Sequence, residues 1–178
     1  MKLKNIDRRV LYEIYTDRDD DERFNVGYIV YNDDTYLLLK SIEPYGNFDG
    51  YDLILAEDVY RIAYGTDYLC GIETLTNVTC ECDYDFGKIT MENFAEFAAK
   101  LGRAVGVAMY GTGHELQGFV KQVDKNGGLL TVTQLGTDGS VDGEFVVEFE
   151  NMARISFGGV DQSRTEKLYK ALHKDALL

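Results

Sequence analysis

One stretch of this chain occurs twice, and it limits the fold more than anything else in the sequence. Residues 49–65 read DGYDLILAEDVYRIAYG, and residues 142–158 read DGEFVVEFENMARISFG, with no gap between the copies. Asp49, Gly50, Glu57, Arg61, Ile62 and Gly65 recur as Asp142, Gly143, Glu150, Arg154, Ile155 and Gly158. Self-similarity on this scale makes each copy one folding unit. A chain of 178 residues therefore divides into two small units rather than one large one.

The pattern around each copy is that of short strands. In the first half, residues 10–16, 24–31, 35–42, 51–56 and 59–64 are rich in β-branched and aromatic side chains and are separated by turn-forming Asp, Asn and Gly. Thr66 can cap a short helix ending at Leu75. In the second half the strand pattern restarts at residues 104–110, 114–123, 129–135, 144–149 and 152–157. On this reading Val10 lines up with Val105, Gly27 with Gly118 and Leu37 with Leu129. Before that restart, Thr90 is a good N-cap, Phe94, Phe97, Ala98 and Leu101 share one helical face, and Gly102 ends the run. A closing helix over 160–178 places Leu168, Leu172 and Ala176 on one face. The predicted domains are 1–75, a first small β-barrel; 76–89, a linker; and 90–178, a helix, a second small β-barrel and a C-terminal helix.

Five short strands with only a one- or two-residue corner between the fourth and fifth suit a small, strongly bent barrel. In the second half Gly118, Val120, Val123, Asp124 and Asn126 stand at the spacing G-x-V-x-x-V-D-x-N, and Gly27, Ile29 and Asp33 keep part of it in the first. This pattern resembles the first motif of the Sm-like branch of the SH3-like barrels. The resemblance implies a mainly β chain of two tandem five-stranded Sm-like/SH3-like barrels, and it implies RNA binding through Asp124, Asn126 and Arg154. Sm proteins that bind RNA carry Arg-Gly or Lys-Gly between strands four and five, whereas the corners here read Glu57-Asp58 and Glu150-Asn151. The run 26–62 also resembles a family of Gram-positive bacterial proteins, a likeness that implies no activity.

Charge opposes nucleic acid as the partner. The formal net charge is −13, and residues 1–82 hold eight Lys and Arg against seventeen Asp and Glu. Phosphate backbones are held by clustered cations, and no dense cationic patch occurs. No apolar run approaches the roughly 18 to 20 residues that span a bilayer. Three cysteines, unevenly placed, fit a reducing compartment, so a cytoplasmic location without membrane contact is expected.

No catalytic constellation or cofactor motif is present. His114 and His173 have no nucleophile at a useful spacing, and Gly111-Thr112-Gly113 and Gly127-Gly128 belong to hairpin turns. Asp17, Asp19 and Asp21 alternate as in a calcium loop, but Glu22 stands where the bend needs Gly and Tyr28 where a bidentate Glu is required. Cys70, Cys80 and Cys82 lack the paired spacing of a zinc site, although metal binding there is the third reading.

A non-enzymatic module that contacts a protein or peptide is therefore the leading expectation, with an RNA-binding protein as its rival and homo-oligomers allowed. Tyr45, Tyr51 and Tyr60 are the candidate anchors, with Leu53, Leu55 and Arg61 beside them. Tyr51, Leu53 and Leu55 replace the partly charged positions Glu144, Val146 and Glu148 of the second copy. A strand apolar on both faces is covered on both faces, so the second barrel, the helix over 91–101 or another chain is expected over it. Arg61 and Arg154 are expected to pair across the corner with Glu57 and Glu150, or else to anchor an anion.

Overall fold

The computed structural model describes residues 6–112 and 114–173, and the chain divides into two compact units, residues 1–85 and 86–178. The segment 76–89 is thus shared between them.

The first unit holds β1 (Leu11–Tyr15), β2 (Asn25–Asn32), β3 (Tyr36–Ile42), β4 (Phe48–Leu55), β5 (Arg61–Ala63) and helix α1 (Asp67–Leu75). Its strands are antiparallel and lie in the order β5-β1-β2-β3-β4, so the last strand returns to pair with the first. Alternation along the strands sends Tyr12, Ile14, Ile29, Leu37, Leu39 and Ile54 into one core together with Val59, and Ile62 packs on its edge. All five strands contribute to that core. The opposite face buries Leu11, Val26 and Ile42 against Leu69 and Ile72 of α1. Thr66 caps α1 by accepting a hydrogen bond from the Leu69 amide at 3.2 Å. Each fully buried aliphatic side chain contributes about 1.5–3 kcal/mol.

The second unit holds α2 (Met91–Lys100), β6 (Ala104–Met109), β7 (Glu115–Asp124), β8 (Leu129–Leu135), β9 (Val141–Glu148), β10 (Met152–Phe157) and α3 (Val160–Leu172). Its strand order, β10-β6-β7-β8-β9, is again fifth, first, second, third, fourth. Register makes the correspondence specific. Ile14 pairs with Ile62 and Val107 with Ile155; Leu37 pairs with Ile54 and Leu130 with Val147. The counterparts of the first core are Val105, Val107, Leu130, Val132, Val147, Met152 and Ile155, which are buried, and Val120 in the place of Ile29, which is half-buried. Phe94 of α2 packs on Phe157 and on Phe86, with ring centroids 5.0 and 5.6 Å apart.

Two of the alignments expected from sequence move. The residues opposite Gly27 and Gly118 are Tyr12 and Val105, so Val105 answers to Tyr12 rather than Val10. Leu37 answers to Leu130 rather than Leu129, because the β7–β8 turn is longer than the β2–β3 turn. Turn length cannot be read from a two-residue apolar period, and cross-strand pairing settles it.

The repeated Asp-Gly is not a turn. Ladder pairing jumps from Lys40↔Tyr51 to Ile42↔Phe48, and from Thr133↔Glu144 to Leu135↔Val141. Asp49-Gly50 and Asp142-Gly143 therefore stand as two residues against one, Ser41 and Gln134 respectively, in a β-bulge within β4 and β9. Gly50 and Gly143 take φ of 91° and 83°, which a side chain would strain. Both strands consequently begin three residues earlier than the alternation predicts, at Phe48 and Val141.

Helix α3 also departs from expectation. It buries Gln162, Thr165 and Glu166, while Leu172 is 62% exposed and Ala176 lies outside the described residues. The chosen face is the one with hydrogen-bond partners. Glu166 accepts from Arg103 Nε at 2.9 Å and from the Ala104 amide at 2.8 Å, and Gln162 Nε2 donates to Ser156 Oγ at 2.8 Å. Gly106 leaves room for Glu115 and Gln162, whose side-chain ends occupy the place a methyl would take.

Candidate functional site

The densest arrangement of aromatic and cationic side chains in the first unit surrounds β5. In the ladder order β5 has β1 as its one neighbour. Register sets Arg61 opposite Tyr15, and the Arg61 guanidinium lies over the Tyr15 ring, 4.2 Å from its centroid. Arg18, from the loop joining β1 to β2, lies over the Tyr60 ring at 5.2 Å. Tyr15 also meets Phe24 at 5.1 Å and Tyr60 at 6.2 Å, and Phe24 meets Tyr68 of α1 edge-on at 5.5 Å. Tyr64, beyond the end of β5, stands edge-on to Tyr12 at 5.9 Å and is 69% exposed. The patch thus has a buried floor, Tyr15, and an exposed rim of Arg18, Arg61 and Tyr68, whereas Tyr64 lies with Tyr12 on the other face of the sheet.

The floor is held by a buried carboxylate. Tyr15 Oη donates to Glu13 Oε2 at 2.6 Å, and Thr66 Oγ1 donates to Glu13 Oε1 at 2.5 Å. Burial, and then the hydrogen bond to the Glu13 carboxylate, push the Tyr15 phenol up to about 12, against a value near 10 in the unfolded chain. A phenol whose folded pKa is raised contributes stability fully present below pH 10 and lost as pH rises towards 12. Burial raises Tyr12, Tyr28 and Tyr51 in the same direction. The urea midpoint is accordingly expected to fall as pH rises from 10 to about 12, and Tyr15→Phe should flatten part of that fall.

Of the six candidate anchors, only Tyr60 and Arg61 belong to this patch. Arg61 rests on Tyr15 instead of pairing with Glu57, because it lies directly opposite that ring in the ladder. Tyr45 is 79% exposed in the β3–β4 turn, and Leu55 is half-buried at the end of β4. Tyr51 and Leu53 are fully buried and cannot serve as surface anchors. Within its own unit Tyr51 is covered by Phe48 and Tyr84, with centroids 5.4 and 5.7 Å away. Its hydroxyl donates to Asp83 Oδ2 at 2.6 Å and accepts from the Asp83 amide at 3.0 Å. Lys40, opposite Tyr51 in the ladder, reaches the same Asp83 oxygen at 2.9 Å and donates to the Glu81 carbonyl at 2.8 Å. The Tyr51 hydroxyl and the Lys40 ammonium hold the Asp83 carboxyl below its usual range. Residues 81–84 are thereby latched onto the sheet.

The three residues implied for RNA have local structural partners. Asp124 Oδ1 accepts from the amides of Asn126 and Gly127 at 3.1 and 3.0 Å, which closes the β7–β8 turn. Arg154 Nη2 donates to Glu115 Oε2 on β7 at 2.6 Å, so its charge is answered within the unit. Lys125, in the same turn, is shared by Glu96 and Asn93 of α2. Cys70 lies exposed on α1, Cys80 is half-buried, and the Cys82 thiol donates to the Tyr84 carbonyl at 3.3 Å. Among the described residues no three His, Cys, Asp or Glu side chains converge as a metal site. His173 stacks on Tyr169 at 4.2 Å.

Arg18, Phe24 and Tyr68 were not legible as site residues. Arg18 sits in the run DRDDDER, which reads as a solvated turn, and Tyr68 in a short helix. Only the return of β5 to β1 brings the three segments together.

Comparison with protein-family models, with curated proteins and with solved structures finds no match for this chain.

Proposed function

We propose that this chain is a tandem of two Sm-like/SH3-like small β-barrels that acts without catalysis, in the cytoplasm, by binding a protein or peptide at the aromatic and arginine patch around β5. The barrel reading rests on the shared strand order, the return of each fifth strand to the first, and a core drawn from all five strands of the first unit. Among the described residues no helix is long and apolar enough to cross a membrane.

The observation that carries the binding reading is the pair of guanidiniums lying on Tyr15 and Tyr60 beside a strand with one ladder neighbour. Tyr and Arg dominate the energetics of protein interfaces because they offer large apolar area with few torsions to freeze, together with directional donors. Here their rotamers are already held by the stacking, which lowers the entropy lost on association. The acidic loop from Asp17 to Glu22 flanks the patch and repels phosphate backbones.

Arg61→Ala is expected to weaken capture of the partner by about tenfold or more, while changing folding stability by only about 0.5–1 kcal/mol, the value of an exposed cation–π contact. Affinity capture with wild type, Arg61→Ala and an unrelated surface variant, Lys100→Ala, checks this by mass spectrometry of the bound proteins. Equal capture by all three sinks the proposal. Nucleic acid copurifying with the wild-type protein, seen as a raised 260/280 nm ratio, would favour the RNA reading instead, and size exclusion would report homo-oligomers.

A further inference from the structure

We infer that β9, on the second unit, accepts an extended basic peptide as an added antiparallel strand. This goes beyond the β5 patch and does not depend on it. In the ladder order β9 has β8 as its one neighbour, so alternate residues over 141–148 direct their N–H and C=O groups to water. The register with β8 sets Glu144, Val146 and Glu148 opposite Thr133, Thr131 and Leu129, all on one face. Val147, on the other face, is 6% exposed and anchors the strand to its core. Val146 is 61% exposed in the middle of the acidic row. A strand that is paired in regular register from Glu144 to Glu148, anchored on one face and open along its edge is already in the conformation an incoming strand requires.

The side chains select what can join. If a second copy of this chain paired antiparallel across the same edge about Val146, Glu144 of each copy would face Glu148 of the other, and like charges directly opposed destabilise a ladder. The net charge of −13 adds long-range repulsion. A strand carrying Lys or Arg at two positions four apart, with an apolar residue midway, reverses both effects. Its cations meet Glu144 and Glu148, and its apolar residue covers Val146. The existing partners leave room for this. Lys121 reaches Glu144 at 2.5 Å from an exposed position, and Asn151 donates to Glu148 at 2.7 Å. Both are surface contacts that an incoming cation can share or replace.

The test uses the full chain and capped fluorescent peptides alternating Thr and Val, with two lysines four residues apart around a central valine, followed by anisotropy at low salt. The lysine peptide is expected to bind. Its glutamate counterpart should not, and Glu148→Lys should weaken the lysine peptide about tenfold, whereas Arg61→Ala should leave it unchanged. Backbone geometry is read separately. N-methylation of the amides along one edge of the peptide should abolish binding, and the same modification along the other edge should preserve it. Amide hydrogen exchange over residues 141–148 should slow in the complex. Failure of the lysine peptide to bind overturns the inference, as does equal binding of both N-methylated forms, which would mean charge attraction without strand addition. Self-association of the wild-type chain that Val146→Lys abolishes would assign the edge to a second copy and overturn it too.

Discussion

Tyr51→Ala is expected to destabilise the first unit by about 3–5 kcal/mol, the range for removing a large buried aromatic side chain. Tyr51 is fully buried, and its ring fills the space between Phe48 and Tyr84. Loss of the hydroxyl also leaves the Asp83 amide without its acceptor and takes one of two donors from a carboxylate that neutralises the buried Lys40. Tyr51→Phe separates the two effects. It keeps the ring and should cost only about 1–2 kcal/mol, the order of a lost hydrogen bond to a charged group. Urea denaturation of the three proteins measures both steps, and a loss below 1 kcal/mol for Tyr51→Ala would mean that the latch over residues 81–84 is not part of the folded core. One practical consequence is that Tyr51→Ala cannot report on partner binding, because it damages the unit that presents Arg61.

The second large effect concerns the glycines shared by the two second strands. Gly27→Ala and Gly118→Ala are each expected to cost about 3 kcal/mol or more, above the middle of the range for overpacking. At Gly27 an added methyl would overlap the Lys40 carbonyl oxygen and crowd Leu39. At Gly118 it would overlap the Thr133 carbonyl oxygen and crowd Val132. These obstacles are backbone atoms of the adjacent strand, so relief requires the ladder to part, and a flexible side chain cannot simply turn away. Gly71→Ala serves as the control. Nothing lies within 4 Å of its added carbon, and an alanine inside α1 should stabilise by about 1 kcal/mol. Thermal and urea melts of the three variants decide this, and a change under 1 kcal/mol at Gly27 or Gly118 would show that the strands separate freely there.

The match of Gly27 with Gly118 was thus legible at the right residue for a reason the alternation does not contain. Gly27 and Gly118 align in sequence, but what they share is a close approach to the backbone of the third strand. The Asp-Gly pair that opens the repeated stretch has a similar history. It reads as a turn because Asp-Gly favours one, yet within β4 and β9 the same positive φ makes a bulge. Both are conformational demands that a sequence announces without saying where in the ladder they fall.

The candidate site was less legible. Arg61 and Tyr60 were singled out, but their neighbours Arg18, Phe24 and Tyr68 come from a loop and a helix that carry no shared pattern. The contrast between Tyr51, Leu53 and Leu55 and their partly charged counterparts reads both as a strand covered on two faces and as a binding difference on the first unit, and the cover is found over Tyr51, from Phe48 and Tyr84. In the structure it is a difference in burial. Tyr51 and Leu53 are fully enclosed, whereas Glu144, Val146 and Glu148 line an exposed strand, so at these matched positions the open surface is that of the second unit.

Sequence alone determined the strands, the helix caps and the two-fold repetition, because each depends on residues within a few positions of one another: a period of two, a capping threonine, a glycine at positive φ. Tertiary structure decided which faces are covered. The Tyr51 hydroxyl is held by Asp83, 32 positions away, and α3 turns Gln162 and Glu166 inward because Ser156, Arg103 and the Ala104 amide offer partners there. Burial depends on what arrives from elsewhere in the chain, and no local pattern encodes that arrival.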